Sequence, residues 1–200
     1  DGTLIDTEQP ILSSLQKVIL QYQNKTVEED ELRYALGIPG KDTLVKLGIE
    51  NLEDALSLWN EFYQQYIPQV HPFQGIEPVL EALKAQSLSL GIITSMTKRE
   101  YQADFCQLGL AHYFEWTICA EDNIKHKPDP EPMLRYLELA KAHPNEVLYV
   151  GDSIYDMQCA QGAGVDSALA LWGCRQPQGI YATYYLNCPQ DLLALLPDRF

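Results

Sequence analysis

The residues able to do chemistry in this chain sit where apolar runs end. It opens on Asp1-Gly2-Thr3-Leu4-Ile5-Asp6-Thr7: a carboxylate at a glycine turn, a hydroxyl, two apolar residues, then a second carboxylate–hydroxyl pair. Thr94 and Ser95 follow Gly91-Ile92-Ile93, and Lys127 lies in His126-Lys127-Pro128-Asp129-Pro130. Asp152 and Asp156 follow the run Val147-Leu148-Tyr149-Val150, as Gly151-Asp152-Ser153-Ile154-Tyr155-Asp156. Loops at element ends are where functional groups concentrate. Gathered at one rim, Asp1, Asp152 and Asp156 would not all stay ionised without a counter-charge. An oxygen-rich acidic site that must also hold phosphate suits Mg²⁺. Lys127 would neutralise charge on a transferring phosphoryl group, and Thr94 would hydrogen-bond one of its oxygens.

Each of these residues also has a plainer reading. Thr94 suits a turn, and Lys127 suits solvated surface. Asp152 could cap the helix that follows it, and Asp156 could favour that helix's positive end. The elements around them decide whether they meet. From Pro10 to Val70 the pattern predicts helices only. Ile11, Leu12, Leu15, Val18, Ile19 and Tyr22 recur at helical spacing, with Pro10 in the first turn. Thr26 with Glu29 reads as a capping box and Gly37 as a helix end. Gly37 to Asp42 reads as a loop. Asn51 reads as the cap of a helix burying Leu52, Ala55, Leu56, Trp59, Phe62, Tyr63 and Tyr66, and Tyr66 to Gly75 as a linker.

After Gly75 helices alternate with strands. The predicted helices are 77–86, 98–108, one opened by Asp129-Pro130 and running to Ala142, 153–161, and a last one from Asp191 through Leu196. The predicted strands are 88–93, 116–120, 147–150 and 168–172. This alternation predicts an α/β fold, a Rossmann-like parallel sheet flanked by helices, with an inserted all-helical cap domain. The core would comprise residues 1–9 and 73–200 and the cap residues 10–72. Ligands of such sheets bind at the carboxyl ends of the strands.

Composition narrows the partners. The net charge of −14 over 200 residues repels phosphate backbones, which argues against nucleic acid. No apolar run is long enough to span a membrane. Five scattered cysteines without a Cys-x-x-Cys pair suit free thiols in a reducing cytoplasm. The four histidines show no metal-binding spacing. A phosphorylated substrate would need a local positive site, which a bound cation could provide, and the protein is expected to be a monomer or homodimer.

Taken together and in order, these segments resemble the four motifs of the haloacid dehalogenase-like hydrolase superfamily, in its type-1 (helical) cap, phosphoglycolate phosphatase-like group. Asp1-Gly2-Thr3-Leu4-Ile5-Asp6-Thr7 matches the first motif from its second aspartate onward. The resemblance implies that the nucleophilic aspartate lies two residues before Asp1, on a strand leading into it. It implies that Asp1 is the general acid–base and binds Mg²⁺ through its backbone carbonyl. Asp152 would be a direct metal ligand, with Asp156 binding the metal or orienting its ligands. Thr94 and Lys127 would bind the phosphoryl group, Lys127 also steadying the nucleophile, and Ser95 and the backbone near Gly2 would add hydrogen bonds to it. Lys41, in the loop that resembles the family's specificity loop, would reach an anionic substrate. Arg33 and Tyr34 are weaker candidates for that task.

An aspartate at position 1 is similar to the phosphatase and phosphotransferase branches rather than the dehalogenases. Ile11 stands where the mutase branch carries a histidine, which favours hydrolysis over intramolecular transfer. The implied activity is Mg²⁺-dependent hydrolysis of a small phosphate monoester through an aspartyl phosphate. The alternatives are a pyrophosphatase or sugar-phosphate mutase on the same core, or a non-catalytic phosphate-binding homologue without the nucleophile.

Overall fold

The structure, a computed structural model, describes residues 1–195. The first motif turns at Gly2 and enters a two-residue strand, β1 (Ile5–Asp6). Helix α1 (Glu8–Gln23) follows, ending at Asn24 in the left-handed conformation. Its apolar stripe splits between two clusters. Leu12, Leu15 and Ile19 pack on Leu32 and Ala35, whereas Val18 packs on Leu44, Ile49 and Ala55. Complete burial of each Leu or Ile contributes roughly 1.5–3 kcal/mol. Short α2 (Glu29–Leu32), α3 (Gly40–Lys46) and long α4 (Leu52–Gln64) complete this helical layer. Trp59 on α4 donates its indole N–H to the buried Ser14 hydroxyl of α1 at 2.9 Å, which fixes how the two helices meet.

The predicted Tyr66–Gly75 linker contains β2 (His71–Pro72), which pairs antiparallel with β1. Both ends of the helical layer therefore leave through one two-stranded ribbon. Helix α5 (Ile76–Ala85) then leads to β3 (Gly91–Ile93). A helical stretch begins as α6 (Lys98–Glu100) and continues to Leu108, ended by Gly109 at φ 75°. Strand β4 (Trp116–Ile118) pairs parallel with β3. Helix α7 (Glu131–Ala140), β5 (Leu148–Gly151), α8 (Ile154–Gly162), β6 (Asp166–Ala170), β7 (Tyr184–Leu186) and α9 (Asp191–Ala194) follow. Strands β5, β6 and β7 form a second parallel group in that order.

The architecture is the expected α/β one, a parallel sheet flanked by helices. Between β3 and β5 lies a cavity of about 410 Å³, walled by both strands and by α5 side chains such as Leu80 and Leu83. Tyr149 of β5 bridges it, its hydroxyl oxygen lying 3.4 Å from the Ile93 carbonyl oxygen.

Several local expectations are corrected. The capping box of α2 pairs Glu28 with Glu31, not Thr26 with Glu29, because the acidic run repeats the required spacing two residues later. Residues 40–42 are helical rather than loop: Gly40 opens α3 because its bare Cα packs on Leu56 and Trp59 of α4. Strand 88–93 contracts to 91–93, and strand 168–172 shifts to 166–170. Strand β7 has no counterpart in the sequence reading. The last helix begins at Asp191 as expected, but that residue's carboxylate accepts from the amides of Asn187 and Cys188 instead of capping α9. Its expected end at Leu196 lies outside the described residues. All five cysteines are free, with Cys119 and Cys159 buried. No helix among the described residues is long and apolar enough to cross a membrane.

Candidate active site

The carboxyl ends of β3 and β5, the first motif and the loop before α7 converge on one mouth of the cavity, where Asp1, Thr94, Ser95, Lys127, Asp152 and Asp156 all line it. Gly2 makes the approach possible. It sits at φ 64°, and a Cβ there would lie 2.2 Å from Asp152 Oδ2. The Thr3 hydroxyl donates to Asp152 Oδ1 at 2.9 Å. The loop after β6 locks the same turn: Trp172 donates its indole N–H to the Thr3 carbonyl at 2.9 Å, and Gly173 packs on the Gly2 carbonyl. Gly2→Ala is expected to push Asp152 aside and to cost about 1–2 kcal/mol of backbone strain. A Mg²⁺ titration of activity should show at least about tenfold more metal needed for half-maximal rate. An unchanged titration would show that the Gly2–Asp152 contact does not matter.

Asp156 is fully engaged. Its Oδ1 accepts from Lys127 Nζ at 2.7 Å and from the Tyr149 hydroxyl at 3.0 Å; its Oδ2 accepts from the Ser153 amide at 3.1 Å and the Ser153 hydroxyl at 2.6 Å. Ser153 caps α8, and Asp156 is the returning carboxylate of that capping box. The plainer helix-end reading of Asp156 and the functional one thus hold together: the cap fixes the carboxylate that fixes Lys127. Asp152 is not the cap.

The electrostatics separate the two carboxylates. Burial alone would raise the Asp156 carboxyl, but the charge and hydrogen bond of Lys127 outweigh it and hold it below its ordinary value. Burial would likewise lower Lys127, yet Asp156, Tyr149 and Asp152 keep its ammonium above the usual range. Asp152 has no such partner. Burial, then the charge of Asp156, push its carboxyl up to about 6 against the weaker pull of the amino group at Asp1, of Thr3 and of Lys127. Thr94 accepts from the Met96 amide at 3.1 Å, which leaves its hydroxyl proton to donate. Ser95 donates to the Gly37 carbonyl at 3.4 Å, a contact from the β3 end to the helical layer.

Not every expected residue joins. Lys41 is exposed on the first turn of α3 and lines neither this cavity nor its neighbour. Arg33 is held by Glu8 and Asp30, and Tyr34 lies under Lys46. Asp1 is exposed at the mouth, and no group of three or more Asp, Glu, His or Cys side chains converges as a metal site among the described residues. The sequence reading missed two participants. Thr3 was visible as the hydroxyl of the first motif, whereas Tyr149 was hidden within an apolar strand run.

The haloacid dehalogenase-like hydrolase family model matches residues 1–170. The chain belongs to this family. Among its relatives, a pyrophosphatase PpaX of Bacillus thuringiensis strain Al Hakam is 29% identical over 203 residues, covering 99% of this chain and 94% of that protein. A PpaX from Bacillus mycoides strain KBAB4 is 26% identical, covering 98% and 93%. A crystal structure from Lactobacillus plantarum, of a protein proposed to be a phosphoglycolate phosphatase, superposes with a TM-score of 0.89 at 28% identity, covering 98% of this chain and 95% of that one. This haloacid dehalogenase-like protein is therefore a hydrolase of the phosphatase kind.

Proposed function

We propose that this hydrolase is a Mg²⁺-dependent phosphomonoesterase acting on a small phosphorylated metabolite. The observation that carries the reading is the contrast at the cavity mouth. Asp152 is a half-buried carboxylate whose side-chain hydrogen-bond donor is the neutral Thr3 hydroxyl, and beside it Lys127 is an ammonium held charged by Asp156. Such a site favours a cation and an anion bound together.

The donors available to a cation are oxygens, the Asp152 carboxylate and the Asp1 carbonyl, a hard set that fits Mg²⁺. Asp156, with both oxygens occupied, serves by orienting Lys127. Bound Mg²⁺ would offset negative charge on the phosphoryl oxygens. Lys127 and Thr94 would donate hydrogen bonds to the same group. On the family resemblance the nucleophile would be an aspartate two positions before Asp1. Its carboxylate oxygen attacks phosphorus as the ester P–O bond breaks, and Asp1 gives the leaving oxygen a proton. Asp1 then takes a proton from water, which attacks the aspartyl phosphate and releases inorganic phosphate. The helical layer would act as a cap that excludes bulk water. Mg²⁺-dependent phosphate release from small monoesters by the full-length protein tests this reading.

The Asp152 shift gives a signed expectation. Its folded pKa of about 6 lies above the ordinary carboxyl value of about 3.9. Above pH 6 the folded state therefore carries a destabilising buried charge, and the penalty disappears as pH falls from about 6 toward 4. A cation relieves it at neutral pH, whereas at lower pH a proton competes for the same oxygen. Mg²⁺ should raise Tm more at about pH 7.5 than at about pH 5. Equal shifts at both pH values would contradict Asp152 as the ligand.

A further inference from the structure

A second cavity, of about 120 Å³, lies between the helical layer and the α6 stretch and reaches Asp1 and Ser95. It has room for a small leaving group beside the residues expected to bind the phosphoryl group. Its polar wall is Asn60, Tyr63, Glu100 and Asp104, and Trp59 closes one side. Among the described residues no lysine, arginine or histidine lines it. Arg33 is held by Glu8 and Asp30, and Lys17 by Gln65 and the Tyr66 ring.

Asp104 is 4% exposed, and among the described residues its carboxylate accepts from the neutral Gln64 amide at 3.3 Å. Burial, and secondarily Glu100, push its carboxyl above the ordinary value. Tyr63 is raised by burial and by the same two carboxylates, so its hydroxyl sits within their field. The wall thus carries two carboxylates, of which Glu100 already accepts from the Thr97 amide and hydroxyl; their charge attracts an ammonium and repels an anion, and the phenol, amide and indole beside them are neutral.

We propose that this pocket holds the leaving group of the ester and selects a small amino alcohol, so that the preferred substrate is an amino-alcohol phosphate rather than a phosphorylated carboxylate or a diphosphate. The proposal rests on the phosphatase reading above, with Asp1 beside the leaving oxygen. It departs from the pyrophosphate and phosphoglycolate named for the relatives, whose leaving groups are anionic.

The test compares kcat/KM of the full-length protein with Mg²⁺ for 2-aminoethyl phosphate, phosphoglycolate and pyrophosphate. p-Nitrophenyl phosphate, whose leaving group needs no help from the pocket, reports whether the phosphatase reading stands. The amino ester is expected to exceed both anionic substrates by at least about tenfold. A smaller margin, or an anionic substrate in front, overturns the proposal and leaves the phosphatase reading intact. No turnover of p-nitrophenyl phosphate overturns both. Asp104→Asn should narrow the ratio of amino ester to phosphoglycolate at least about threefold, mainly through KM of the amino ester. An unchanged ratio in the folded variant removes Asp104 from the specificity wall.

Discussion

Asp152→Ala is expected to lower Mg²⁺-dependent phosphate-ester hydrolysis by at least about 1,000-fold, equivalent to about 4 kcal/mol of lost transition-state stabilisation. The variant should fold as well as the parent or better in the absence of metal. The parent buries the Asp152 charge against burial and against Asp156, and that cost vanishes with the carboxylate. Removing the Thr3–Asp152 hydrogen bond gives back only about 1 kcal/mol. Loss of activity with retained or raised Tm is thus the signature of a metal ligand, whereas a structural carboxylate would lose both. Mg²⁺ should no longer shift the Tm of the variant.

Lys127→Met should fail in the opposite way. The Lys127 and Asp156 side chains are 10% and 5% exposed, so truncating one partner leaves a buried charge uncompensated. The expected cost is about 3–5 kcal/mol, a fall in Tm on the order of 10 °C for a chain of this size. Activity should fall as well, since the ammonium facing the phosphoryl group is gone. Pairing Lys127→Met with Asp156→Asn separates the two effects. The asparagine carries no charge to strand, so most of the stability should return while activity stays low. Recovery of both would mean that Lys127 supports the fold alone. Thermal melts and initial rates on the three variants decide this.

The two substitutions mark what was legible in the sequence. Asp152, Asp156, Thr94 and Lys127 stood out because each ends an apolar run or sits in a proline-bracketed loop, and parallel strands bring such ends together. Their hydrogen-bond partners were not legible. That Asp156 is engaged by Lys127, Tyr149 and Ser153 while Asp152 meets the Thr3 hydroxyl depends on side-chain geometry across loops far apart in the chain. Tyr149 was unreadable because a tyrosine in a buried strand looks like any other apolar residue until its hydroxyl finds Ile93 and Asp156. Lys41 lies apart from the cavity because Gly40, which reads as a turn, packs on Trp59 and opens α3, leaving the lysine exposed on its first turn. Strand β7 escaped because it is three residues long and exposes Tyr185. The pocket carboxylate Asp104 lies inside a helical stretch with no motif around it, and only the packing of α4 over it gives it a place.

The most direct measurement is hydrolysis of p-nitrophenyl phosphate by the full-length protein, with Mg²⁺, then with excess EDTA, then with Mg²⁺ restored. A metal held by Asp152 beside the Lys127 ammonium predicts release of p-nitrophenol that stops with the chelator and resumes with the metal. A rate that EDTA leaves undiminished would contradict it.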